Sequence, residues 1–163
     1  MGHFHSCALL KSGAVQCWGG NSQGGELGIG NNNPDKSGTQ DVWEPGAFAL
    51  SSGAVVIASG KYHTCALLSD ATVKCWGRFS EDDTKKSLLP KVIPEFAGAV
   101  AISGGKDFAC AILKGGSVKC FGDTDVVRWG AQSDEYDAWK VQTIVDEKNM
   151  PIVGMDKSST CGK

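Results

Sequence analysis

The sequence predicts an all-β repeat protein built from antiparallel hairpins. The first observation is a cysteine pair, separated by nine residues, that occurs three times with the same spacing: CALLKSGAVQCWG, CALLSDATVKCWG and CAILKGGSVKCFG, at residues 7–19, 65–77 and 110–122. The second is turn chemistry at the centre of each copy, followed by a β-branched residue such as Val15, Val73 or Val118. The third is a regular repeat of this motif along nearly the whole chain.

The repeat extends upstream of the cysteines. Residues 53–77 and 98–122 align without a gap and are identical at 13 of 25 positions, including Gly60/Gly105 and Lys61/Lys106. Cysteines at positions 7, 65, 110 and 161 begin successive copies, and such units stack to bury faces that one unit cannot bury alone. We expect one repeat domain over residues 1–163, with units at about 1–52, 53–97 and 98–148 and the start of a fourth at 149–163.

A pair of cysteines at this spacing also fits a disulfide-linked helix. The centres of the three copies, Lys-Ser-Gly, Ser-Asp-Ala and Lys-Gly-Gly, disfavour a continuous helix. A hairpin folded about Ser12 and Gly13 instead places Cys7 opposite Cys17, at a separation that a disulfide can bridge. We therefore predict three disulfides and one unpaired cysteine: Cys7 with Cys17, Cys65 with Cys75, Cys110 with Cys120, and Cys161 alone.

Composition narrows the class of protein. Paired cysteines persist in oxidising spaces, which indicates a secreted protein or one in a secretory or thylakoid lumen. Sixteen basic and eighteen acidic side chains give a net charge of −2, so the charge does not indicate a nucleic-acid partner. No apolar run approaches the roughly 18 residues that a membrane span needs, and we expect no direct membrane insertion.

The complete motif is G-x-x-H-[ST]-C-A-L-L, a turn, then V-x-C-W-G, and in the first copy G-E-L-G-I-G at residues 25–30. It resembles the repeats of the regulator-of-chromosome-condensation family. The resemblance implies a partial β-propeller of about three blades, each a four-stranded antiparallel sheet, where a full propeller of the family has about seven. It places strands at 54–57, 99–102 and from Pro90, while paired cysteines suit secreted relatives. Residues 126–127 and 139–144 also suit strands.

Aromatic residues at one repeat position, Trp18, Trp76 and Phe121, are expected to pack between blades. The candidate interface residues are these three together with other large apolar side chains: Trp18, Trp76, Phe121, Leu27, Trp43, Trp129 and Trp139. We expect loops near residues 20–40, 78–90 and 123–140 to be presented to a partner.

Two motifs allow chemical alternatives. Residues 20–24 match the G-x-S-x-G pattern of hydrolases, but a Gly-rich segment follows in place of the required helix. His3, His5 and Cys7 alternate as metal ligands on a strand can do, although His5 and His63 occupy a repeat position where bonding to a turn is the simpler role. The acidic residues at 81–83 and 134–137 are read as solvated loop tips. We predict no catalytic residue, no metal and no cofactor.

The resulting hypothesis is a non-catalytic protein-binding or scaffold module. It would serve as an accessory structural subunit on the lumenal or extracellular side of a larger complex, such as a membrane or photosynthetic one. Its partner would be another protein or the remainder of a longer propeller chain. The alternatives are a guanine-nucleotide-exchange or chromatin regulator of the founder type, and an extracellular enzyme inhibitor.

Overall fold

The chain folds into three antiparallel sheets in a computed structural model that describes residues 1–21, 24–30, 42–48, 50, 52–79, 86–122 and 141–145. For residues 42–48, 142 and 145 only the backbone is described. Within these ranges the sole helical element is a single 3-10 turn at Pro94–Phe96. The all-β prediction is therefore confirmed.

Each sheet is formed by strands that follow one another in the chain. The first contains β1 (His5–Leu9), β2 (Val15–Gly19) and β3 (Val42–Phe48), in that order. The second contains β4 (Ala54–Ser59), β5 (His63–Leu68), β6 (Val73–Arg78) and β7 (Lys86–Val92). The third contains β8 (Ala99–Gly104), β9 (Phe108–Leu113), β10 (Val118–Gly122) and β11 (Gln142–Val145).

The cysteine pairs link one hairpin in every sheet, namely β1–β2, β5–β6 and β9–β10. Cys7 lies opposite Cys17 and Leu9 opposite Val15, as the folded turn predicts. All three predicted disulfides are formed, with a Cα to Cα distance of 4.1 Å in each. Because a slip of one residue would turn the apolar face of a strand outward, the cross-links also fix the register of the hairpins.

The three hairpin turns have the same hydrogen bond. The amide of Gly13 donates to the carbonyl of Leu10 at 2.9 Å, and Gly116 donates to Leu113 at 2.8 Å. In the second sheet Ala71 donates to Leu68 at 2.9 Å. The donor residue has positive φ in every copy, so Ala71, at 63°, adopts a left-handed conformation that glycine adopts in the other two.

The second sheet lies between the other two, and each junction has its own apolar core. The first junction buries Val15, Leu27, Leu68 and Trp76, while the second buries Leu67, Phe79, Phe96 and Phe121. Both faces of β5 are covered, and all six of its residues are buried. The outer face of the third sheet is exposed at one position: Ile112 of β9 is 44% exposed, whereas its equivalent Leu67 is 4% exposed. Cys120, on the same face, is 4% exposed.

Two expected loops were partly wrong. Within the expected loop 20–40, residues 24–28 are buried at the first junction and not presented to a partner. Residues 86–90, within the segment that we expected to be presented to a partner, form most of β7 and pair with β6. The strand predicted from Pro90 therefore begins earlier, at Lys86. No helix among the described residues is long and apolar enough to cross a membrane.

Candidate interaction site at the loop end of the sheets

The junction between the first two sheets is closed by the Gly-rich segment 24–30. Leu27 is buried against Trp76, and the indole Nε1 of Trp76 donates a hydrogen bond to the carbonyl of Glu26 at 2.9 Å. The segment needs glycine at position 28, because φ is +70° there and a Cβ would lie 2.8 Å from the Trp76 ring. The amide of Leu27 is held by the side chain of Asn21 at 3.0 Å.

The second junction uses aromatic rings in place of that segment. Phe121 occupies the repeat position of Trp76, and its ring centroid lies 4.6 Å from that of Phe79 and 5.5 Å from that of Phe96. All three side chains are buried. These buried rings supply the apolar area that the first junction obtains from Leu27 and Trp76.

The repeat histidines lie inside these junctions. His5 Nε2 lies 2.7 Å from Thr64 Oγ1 of the second sheet, so its side chain bonds a neighbouring sheet and not the turn that we expected. The ring of His63 stacks on Phe79 with centroids 4.1 Å apart. Among the described residues neither nitrogen of His63 has a partner in hydrogen-bond geometry.

Both histidines are held neutral by their surroundings. Burial lowers the pKa of His5 from 6.5 to about 4 and that of His63 to about 3. Proximity to His5 lowers the pKa of His63 further, whereas the nearby backbone of Phe108 partly opposes the shift. Such rings pack as apolar groups at neutral pH.

Two of the three side chains considered as metal ligands, those of His5 and Cys7, have other partners in the structure. The sulfur of Cys7 is bonded to Cys17, and His5 faces Thr64 in the junction. No cluster of three or more His, Cys, Asp or Glu side chains in the described ranges could hold a metal ion.

The candidate interface residues fall into three groups. Leu27, Trp76 and Phe121 are buried between sheets, and Trp18 is half-buried. Trp43 lies in β3, where only the backbone is described. The remaining candidates and several other predicted features lie outside the described residues: Trp129, Trp139, Cys161, the serine of the G-x-S-x-G motif, and the acidic residues at 81–83 and 134–137.

A groove lies at the end of the sheets opposite the hairpin turns. It has a volume of about 700 Å³, is open to solvent, and is lined by the turns that precede β1, β5 and β9, among them Gly2, His3, Gly60, Lys61, Gly105 and Lys106. The turns are joined edge to edge, because Lys61 N donates to Lys106 O at 2.7 Å and His3 N to Lys61 O at 3.4 Å. We call this surface the loop-end groove.

One wall of the loop-end groove continues into a row of stacked rings. The ring centroids of His3 and Phe4 lie 4.4 Å apart, and those of Phe4 and Tyr62 lie 5.4 Å apart. Lys61 Nζ and the Arg78 guanidinium lie 4.6 Å and 4.3 Å from the centroid of Tyr62, within cation–π range. The row thus joins the turns of the first and second sheets.

Sequence reasoning missed this surface, although the signal was present. The alignment showed Gly60/Gly105 and Lys61/Lys106 as identities, but they served only as evidence of a repeat. Their alignment with Gly2 and His3 would have placed three ionisable side chains at one end of three neighbouring sheets.

Stacked antiparallel sheets with this repeat, with three described strands in the first and four in each of the other two, are blades of a β-propeller. The particular kind of repeat follows from comparison with known proteins. The model of the "Regulator of chromosome condensation (RCC1) repeat" matches residues 1–24 and 54–81. Over these two segments the chain therefore has repeats like those of the regulator of chromosome condensation, and its sheets form a partial propeller of about three blades.

Relatives agree with this assignment. The human protein "Regulator of chromosome condensation" is 33% identical over 97 residues, which cover 55% of this chain and 22% of the relative. Prp20p from Saccharomyces cerevisiae matches with a TM-score of 0.70 and 22% identity over 90% of this chain and 37% of its own. Human WBSCR16 matches with a TM-score of 0.69 and 16% identity over 88% of this chain and 36% of its own. The chain thus spans about a fifth of the curated relative and just over a third of these two structures.

Proposed function

We propose that this chain is a non-catalytic protein-binding module whose outer sheet face is covered by another protein. The observation that carries the proposal is the exposure of Ile112 on the outer face of the third sheet, which is 44% against 4% for its equivalent Leu67. An apolar sheet face of this kind favours association. Similar proteins also bind other proteins: Prp20p binds Gsp1p and histones, and yeast RCC1 binds Kap60.

The proposed setting is an oxidising compartment, with the chain as an accessory subunit on the lumenal or extracellular side of a larger complex. Three disulfides at equivalent positions support this part, because such cross-links persist outside the reducing cytosol and nucleus. Among the described residues, the buried His5 bonds Thr64 and the buried His63 stacks on Phe79. These structural roles support a binding function over an enzymatic one.

The compartment is tested by intact mass spectrometry of the protein from its native source. Alkylation of the unfolded protein without reductant should label one of the seven cysteines, and alkylation after reduction should label all seven. Labelling of all seven without reductant would overturn the assignment to an oxidising space.

The covering partner is tested with a photo-crosslinking amino acid at position 112, compared with the same group at the exposed Lys114 in the following turn. We expect a heavier covalent adduct with a second protein from position 112 only. An adduct within the same chain would instead assign the face to further blades and would overturn the accessory-subunit proposal. The absence of any adduct would overturn the proposal that this face is covered.

A second candidate is a regulator of the founder type, acting in nucleotide exchange or on chromatin. The observation that favours it is the 33% identity to the human relative. It requires reduced thiols, so the mass experiment separates it from the first proposal. Direct binding of purified Gsp1p or histones to this chain would support the founder-type regulator. An extracellular enzyme inhibitor, the remaining alternative, would be a variant of the first proposal.

A further inference from the structure

The loop-end groove presents the same repeat position three times. Gly2-His3, Gly60-Lys61 and Gly105-Lys106 occupy the turns that precede β1, β5 and β9. Backbone hydrogen bonds join these turns side by side. A ligand that lies along the groove would therefore meet three ionisable side chains in succession, each supplied by a different sheet.

The charge exposed along this line is positive. Lys106 has 65% of its side chain exposed, while its ion-pair partner Asp107, 3.3 Å away, is only 8% exposed. Lys61 is half-buried and His3 is exposed. None of the described residues that line the groove is acidic. An extended anionic chain is the complementary ligand, since Lys61 and Lys106 come from separate turns that are joined side by side.

The aromatic wall adds an apolar contact beside the cations. Phe4 is 49% exposed although its ring stacks on both His3 and Tyr62. Because the ring is held between neighbours, a partner can pack on it at little cost in side-chain entropy. Aromatic and cationic side chains together are the composition that protein interfaces favour.

We propose that the loop-end groove binds an acidic, extended segment of a protein partner, with carboxylates at Lys61 and Lys106 and an apolar side chain on Phe4. This inference rests on the proposed protein-binding function and names a surface for it. That surface is distinct from the sheet face at Ile112. The position of the groove supports a chain-like ligand, because its lining comes from the turns of three sheets and it is open to solvent.

The test is fluorescence anisotropy of a fluorescein-labelled octaglutamate peptide with the full chain at low salt. The matched pair of variants is Lys61→Gln/Lys106→Gln and Lys11→Gln/Lys114→Gln. Both remove two positive charges at equivalent repeat positions, but Lys11 and Lys114 are exposed in the hairpin turns at the opposite end of the sheets. The comparison thus separates a local site from the effect of net charge.

We expect the wild-type chain to bind the peptide and the groove variant to bind at least about fivefold more weakly, with a smaller dependence on salt. The hairpin variant should stay within about twofold of wild type. Phe4→Ala should weaken a peptide that carries one central leucine more than it weakens octaglutamate itself. Far-UV circular dichroism and the count of protected cysteines show whether each variant is folded.

The groove inference would be overturned if the two lysine-pair variants weakened peptide binding equally. It would also be overturned if the folded wild-type chain did not bind the peptide. The crosslink at position 112 keeps this outcome separate from the general proposal. If the groove variant still forms the partner adduct and octaglutamate does not bind, only the groove inference fails. If the wild-type chain forms no adduct, the proposed function fails instead.

Discussion

His5 Nε2 lies 2.7 Å from Thr64 Oγ1, and this buried hydrogen bond joins the first sheet to the second. The repeat places His63 at the position of His5 and Ala109 at the position of Thr64. The second junction therefore repeats the histidine without the hydroxyl. In the described structure His63 packs against Phe79 and leaves both ring nitrogens without a partner in hydrogen-bond geometry.

Removal of the Thr64 hydroxyl should weaken the first junction. Thr64→Val keeps the shape of the side chain but leaves His5 Nε2 buried without its partner, which we expect to cost about 1–3 kcal/mol of unfolding free energy. Urea denaturation of the oxidised protein measures the change. In a His5→Phe background the same substitution should cost much less, because both polar partners are then absent. An equal loss in both backgrounds would contradict the role of the hydrogen bond.

Addition of a hydroxyl at Ala109 should strengthen the second junction. Ala109→Ser places at this position the residue that the first repeat has at Ser6, within reach of the unsatisfied ring of His63. We expect a gain of about 0.5–1.5 kcal/mol in unfolding free energy, the usual net value of one hydrogen bond. The gain should disappear in a His63→Phe background, which copies Phe108 of the third repeat. A loss of stability in the single variant would show that the hydroxyl is buried without a partner.

The two histidines predict a loss of stability in mild acid. Their pKa values are lowered to about 4 and about 3 in the folded chain, so the unfolded chain binds their protons first as the pH falls below about 6.5. Their contribution is complete above pH 6.5 and is lost as the pH falls through the folded pKa values. Each can add a slope of up to about 1.4 kcal/mol per pH unit.

The measurement is the midpoint of urea unfolding between pH 7 and about 4. His63→Phe removes one titrating ring and should make the pH dependence shallower over this range. His3→Phe is the matched control, because it makes the same substitution at an exposed position outside the junctions. An identical slope in wild type and His63→Phe would contradict the buried neutral state of His63.

The hairpins and their register could be predicted from local sequence. Two cysteines and a turn between them define both the strand pairing and the facing residues, as Cys7 and Cys17 show. The contacts between sheets could be predicted only in part, because the shared repeat position identified Trp76 and Phe121 but not the residues that they contact. Phe79 follows the repeat in a segment that the sequence marks as a loop, yet it is buried against Phe121, 42 residues further along the chain.

The repeat itself explains part of this difference. Positions that form a hairpin must match within one unit, so they stay alike from copy to copy. Positions at a junction need to match only the neighbouring unit, so each junction can use its own residues. Leu27 with Trp76 and Phe79 with Phe121 are two such solutions. Identity between copies therefore predicts strands, but it does not identify the residues that join sheets.

The hairpin turn of the second sheet gives the last prediction. Ala71 has a φ of 63°, whereas the equivalent Gly13 and Gly116 have φ of 81° and 89°. A left-handed conformation costs a residue with a Cβ about 1–2 kcal/mol. Glycine relieves this strain, but part of the gain is offset because glycine also gives the unfolded chain more conformational entropy. We expect Ala71→Gly to raise the unfolding free energy by about 0.5–1 kcal/mol. Thermal and urea denaturation of the oxidised protein measure it.

Ala97→Gly is the matched control for that turn. Ala97 follows the 3-10 turn, is exposed, and has φ of −58°, which alanine adopts without strain. The same substitution there should lower stability slightly, because glycine adds freedom only to the unfolded chain. Opposite signs at the two positions would assign the gain to relief of the left-handed backbone. If Ala71→Gly and Ala97→Gly changed the unfolding free energy equally, the effect would come from the unfolded chain. The turn at Ala71 would then carry no strain from the alanine side chain.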